Sequence, residues 1–161
     1  MKIKYKIITL LANFAFITLS LADYENYDGR VVYHQDFSSG SYKYSSWIGT
    51  DARVSNFRAS DLTNANFTNA NLSNADFSNT IANGFTVTQL RSAANIQGII
   101  LAENNLNGWD FASLNLTDVS FANSTIDTTD FSGATLKNTN FSNTAITSGS
   151  YIILQVISQK T

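Results

Sequence analysis

Few side chains in this sequence are equipped for chemistry. There is one histidine, His34, and no cysteine. No Ser–His–Asp arrangement, thiolate nucleophile, disulfide or cysteine metal site can therefore be argued. Zinc-type clusters, phosphate-cradling glycine motifs and calcium loops are missing too. The one pair with informative spacing is Asp110 and Asp130, each just before a large apolar residue. If positions at that separation are stacked, these two carboxylates oppose each other and repel. They then form a solvated pair that splays apart, a weak cation site or a pair sharing a proton. The sequence reads as a non-enzyme, with no catalytic residue, no cofactor and no metal site beyond this weak pair.

The spacing of the aspartates belongs to a wider pattern. Large apolar residues fall every fifth position at Phe57, Leu62, Phe67, Leu72 and Phe77. A second register, begun by Ile96, holds Leu101, Leu106, Phe111, Leu116, Phe121, Ile126, Phe131, Leu136, Phe141 and Ile146. These centres are the expected core. Two positions before them lie small residues: Ser55, Ser60, Ala65, Ala70 and Ala75, then Ser124, Thr129, Ala134, Thr139 and Thr144. Asn or Asp precedes most centres.

A period of five fits neither a helix nor a strand. It fits a chain that turns a corner every five residues, and four corners close a square of four pentads. Residues four pentads apart agree in type: Phe111 with Phe131, Leu116 with Leu136, Phe121 with Phe141, Ile126 with Ile146. Stacked coils lie about 4.8 Å apart, so like side chains pack in register. Phenylalanines recur at every second centre, on two opposite sides, because a narrow core cannot hold four rings in one layer.

The runs Ala65-Asn66-Phe67-Thr68-Asn69, Ala70-Asn71-Leu72-Ser73-Asn74 and Ala75-Asp76-Phe77-Ser78-Asn79 resemble the pentapeptide-repeat proteins, whose pattern is A-(D/N)-(L/F)-x-x. The resemblance implies an all-β fold, a right-handed quadrilateral β-helix, with the centre and the residue two before it pointing inward. It covers residues 55–148. The centres at 77 and 101 are out of phase with the period of five, so residues 80–95 form an insertion within the solenoid. Thr86-Val87-Thr88-Gln89 matches a capping box, with Phe85 and Leu90 as a hydrophobic staple, and a short helix is expected over Val87–Ala94. Residues 84–116 also resemble an insert of exported bacterial members of the family.

The ends complete the division. Residues 1–22 read as a signal peptide: Lys2, Lys4 and Lys6, an apolar run from Ile7 to Leu19, then Ser20-Leu21-Ala22 before the cleavage point. Removing them leaves 7 basic and 12 acidic residues and no membrane-spanning run. That balance gives no basic footprint for nucleic acid. Residues 23–54, with seven Tyr, Phe and Trp, are read as an N-terminal cap and a degenerate first coil. Residues 149–161 are read as a C-terminal cap or tail, apolar from Tyr151 to Ile157 and suited to weak homodimerisation. A truncated repeat array would look the same.

Function reads as an exported structural or interaction protein of the periplasm, cell surface or medium. It would present a polar solenoid face to an unidentified protein or envelope component. The alternative is a DNA mimic acting on topoisomerases, which the resemblance allows. Ice binding is disfavoured, since the outward positions Ala102, Ala122, Ser142 and Asn107, Asp127, Thr147 form no threonine ladder.

Overall fold

The computed structural model describes residues 24–146. The expected signal peptide and the tail at 149–161 lie outside the described residues. From Asn26 onward the chain winds as a four-sided coil whose turns are joined by single parallel pairs. Asn26 pairs with Ser46, Ser46 with Asn66, Val31 with Asp51 and Asp51 with Asn71, each with its counterpart one coil on. The pairing residue is the one just before each centre. The fold is thus a quadrilateral β-helix with one bridging residue per side rather than extended strands.

We number the sides in chain order by their centres. The first has Tyr27, Trp47, Phe67, Phe111 and Phe131. The second has Val32, Ala52, Leu72, Ile96, Leu116 and Leu136. The third has Phe37, Phe57, Phe77, Leu101, Phe121 and Phe141, and the fourth Tyr42, Leu62, Leu106, Ile126 and Ile146. Every centre from Trp47 to Phe131 is buried, whereas Leu136, Phe141 and Ile146, in the last described coil, are half-buried. Rings stack along the first and third sides: Phe57 on Phe77 at 4.8 Å, Phe111 on Phe131 at 5.3 Å. Across the core they meet edge to face, as Phe57 does Phe67. Both are favoured aromatic geometries.

The small inward residues have a second job. Their hydroxyls stitch each coil to the one before. Ser55 donates to the Val32 carbonyl at 2.6 Å, Ser124 to Leu101 at 2.9 Å and Thr129 to Leu106 at 3.0 Å. A buried hydroxyl must have such a partner, and only a short side chain fits beside the centres.

At each corner a turn closes from the third following amide to the centre's carbonyl, as from Ser60 to Phe57 at 3.0 Å. The residue two after the centre takes positive φ at corner after corner, including Asn64, Asn69, Asn74 and Asn79 at 57–59°, where Asn is the best-tolerated non-glycine residue. The Asn or Asp before the centre locks the corner. Asn66 Oδ1 accepts from the Thr68 amide at 3.0 Å and the Thr68 hydroxyl at 2.6 Å. The N-x-S/T runs of the sequence are therefore corner chemistry.

The regular coil reaches back to Asn26, within the residues 23–54 expected to hold a degenerate first coil and an N-terminal cap. Tyr27 and Trp47 occupy centre positions, in the same phase as Phe37, Tyr42 and the first block. Trp47 is fully buried, its indole N–H donating to Ser45 Oγ at 2.6 Å.

The coil that joins Asp76 to Ile100 is longer than the regular ones. Its extra length holds a short 3₁₀ turn, Ile81–Asn83, and one helix, α1, Val87–Ser92. The helix ends before the expected Ala94, because Ala93 is already extended and the Ala94 amide donates to the Ala70 carbonyl of the preceding coil. Thr86 and Gln89 form the reciprocal capping box. Gln89 Nε2 also donates to the Leu62 and Ala65 carbonyls, both at 2.8 Å. Phe85 and Leu90 are buried, Phe85 against Phe67, Phe77 and Trp109. The insertion is thus a layer of the core. Gly84 makes this possible: a Cβ there would lie 2.9 Å from Thr63 Cα.

Candidate interaction surface

Asp110 and Asp130 are paired across adjacent coils. Each is committed to its own corner: Asp110 Oδ1 accepts from the Ala112 amide and Asp130 Oδ1 from the Ser132 amide, both at 2.8 Å. The Ser132 amide and hydroxyl hold the Asp130 carboxyl below its usual range, which runs against a shared proton. Arg91 of α1 places Nη1 3.4 Å from Asp110 Oδ1 and donates to the Asp110 and Ala112 carbonyls. A guanidinium thus stands beside Asp110 where a cation was considered. No cluster of three or more metal-binding side chains occurs among the described residues. His34 is exposed at a corner, its ring edge-on to Tyr33 at 5.7 Å.

Two features escaped the sequence reading. The exposed large apolar side chains among the described residues, Tyr24, Val31, Tyr33, Tyr44, Ile48 and Val54, all lie in the first two coils. Tyr24 and Tyr44 stack at 5.5 Å, and Arg53 covers the Tyr33 ring while pairing with Asp51.

The second feature is a shallow cleft of about 190 Å³ where α1 meets the second side, lined by Leu90, Arg91, Ala93, Ala94, Asn95, Ile96, Leu114 and Asn115. It has a physical origin. In five successive pentads after the insertion the inward position holds Ile99, Asn104, Trp109, Leu114 and Val119 instead of small residues. Ile99, Trp109 and Val119 are buried, and Asn104 bridges the long coil by donating to the Phe77 carbonyl at 3.0 Å and accepting from the Ile81 amide at 3.2 Å. Leu114 stays half-buried at the cleft. Those large residues were the signal available in the sequence.

Eight copies of the pentapeptide repeat match the family model over residues 48–89 and 115–148. The chain belongs to the pentapeptide-repeat family. The unmatched stretch of this pentapeptide-repeat chain, 90–114, contains most of the cleft and most of the oversized inward residues. No curated protein matches the sequence. The chain is similar to a pentapeptide repeat protein of the Arabidopsis thaliana thylakoid lumen, at 21% identity over 82% of this chain and 77% of that one, TM-score 0.37. It is also similar to QnrB1, a plasmid-mediated fluoroquinolone resistance protein, at 14% over 78% and 65%, TM-score 0.37. Rfr23 of the cyanobacterium Cyanothece 51142 is 17% identical over 76% and 84%, TM-score 0.31. Likenesses of this degree carry no argument about function.

Proposed function

We propose that this chain is an exported interaction protein that presents its rigid, largely uncharged solenoid surface to a protein or envelope component outside the cytoplasm. The observation that carries the reading is how the outward side chains are held. The corner Asn residues are fixed by their own turns, giving an ordered array of amide groups that needs little further ordering to bind. The lysine-led N-terminal sequence supports export. A DNA-like surface needs continuous unpaired acid, and here Asp51, Asp61, Glu103 and Asp110 each have an arginine or lysine partner. The test is a pull-down with the chain from Asp23 onward against envelope, medium and cytoplasmic fractions. A component retained from the first two and competed away by free chain supports the reading. Retention only of a cytoplasmic topoisomerase contradicts it.

A further inference from the structure

The second side carries an array that fits one kind of ligand. Its bridging residues in three successive coils are Asn71, Asn95 and Asn115, and it is the one side among the described residues with three such asparagines in succession. Asn71 pairs with Asn95 across coils, and the Gly98 amide donates to the Thr117 carbonyl to join the next. All three use their Oδ1 in the corner: Asn71 accepts from Ser73, Asn95 from Gln97 and Asn115 from Thr117, at 3.0–3.2 Å. None of their Nδ2 groups has a partner among the described residues. Because Oδ1 is occupied, each amide is oriented, and what remains for a ligand is a donor.

We infer that this column, with the cleft at its edge, binds a straight, neutral glycan whose sugars carry acetamido groups. The inference rests on the proposed function and names the class of partner. Coils lie about 4.8 Å apart, so Asn71 and Asn115, two coils apart, are separated by roughly two sugar rings, the interval at which one face of a straight β-1,4 chain running along the solenoid axis repeats its acetamido group. A donor-only column requires an acceptor from the ligand, and an acetamido carbonyl is a stronger one than a hydroxyl. Asn95 and Asn115 line the cleft beside Leu114 and Ile96, which offer apolar contact to the ring. Arg91, at its wall, is already paired with Asp110, so no free charge selects an acidic chain.

The experiment is titration of the chain from Asp23 onward with chitohexaose and with cellohexaose, which lacks acetamido groups. The variant replaces Asn71, Asn95 and Asn115 by Asp. Aspartate keeps the corner acceptor, as Asp76 does for the Ser78 amide at 2.8 Å, and removes the donor. Where three stacked carboxylates lower the melting temperature, Asn→Ser at the same positions, patterned on Ser120, replaces that variant. We expect chitohexaose to bind, cellohexaose to bind at least about tenfold more weakly, and the variants to lose about tenfold or more. A control with Asn56 and Asn105 changed to Asp, on the third and fourth sides, should bind like the native chain. No binding of chitohexaose, equal binding of the two sugars, or equal loss in the control would overturn the inference. Those outcomes leave the pull-down of envelope components unaffected, so the two readings fail separately.

Discussion

Phe111 and Phe131, one coil apart, lie with ring centroids separated by 5.3 Å and planes inclined by 7°. Both belong to the first side, and Phe121 meets each edge to face, at 5.2 and 5.6 Å. One ring therefore supports more than its own coil. Phe121→Ala should cost about 3–5 kcal/mol, transfer plus cavity. Ser132→Ala removes one exposed hydroxyl and should stay within about 0.5 kcal/mol of neutral. Chemical denaturation of both variants checks this, and equal losses would refute the inward and outward assignment.

Gly84 combines φ of +87° with backbone contact to Thr63. Gly84→Ala must move the insertion away from the coil below, because the obstructing Thr63 Cα cannot rotate aside. A loss of about 1–3 kcal/mol is expected. Thr63→Gly in the same chain should restore part of it. A native-like melting temperature for Gly84→Ala would show that the insertion sits loosely on the solenoid.

Val54 is a β-branched residue at φ of +60°, a conformation that costs such residues most. Its φ matches that of Asn64 and Asn74 at other corners. Val54→Asn should raise stability by about 1 kcal/mol and reduce exposed apolar surface. A fall in melting temperature would mean that the Val54 side chain is used in packing.

Asp36, Asp51 and Asp130 all titrate below the usual carboxylate range. Asp36 is held there by Ser38, Asp51 by the Arg53 guanidinium and Asp130 by Ser132. Their folded pKa values lie below the unfolded ones, so the unfolded chain binds more protons. The stability they contribute is present above about pH 4 and is lost as pH falls through the folded values. Melting temperature should hold from about pH 7 to about pH 5 and decline in more acid solution. A rise on acidification would contradict the assignment. Asp130→Asn keeps a corner acceptor but weakens the bonds that Ser132 makes to the charged carboxylate, while it removes one of two opposed carboxylates; the two effects oppose, so the melting temperature at neutral pH should change little. A clear loss would mean that the Ser132 bonds to the charged carboxylate outweigh the repulsion from Asp110.

How much of this was legible follows from where each constraint arises. The square coil could be read because each centre needs the same residue type one coil on, and stacking makes that a local rule. The N-terminal coils were legible only as a degenerate coil, in phase through Phe37, Tyr42 and Trp47, because their inward positions include Glu25 and Gln35 in place of small residues. The capping box at Thr86 was readable from four residues. That Gln89 and Arg91 tie α1 to the coils on either side was not, since their partners are the backbone carbonyls of Leu62, Ala65, Asp110 and Ala112. The cleft needs Leu114 and Asn95 to meet across coils, and no window of sequence contains that meeting.

The central claim is that this solenoid works outside the cytoplasm. The measurement that bears on it most directly is the intact mass of the protein recovered from its native host by cell fraction. The account predicts a chain beginning at Asp23 in the envelope or medium. A cytoplasmic protein retaining Met1 and the residues after it would contradict the account.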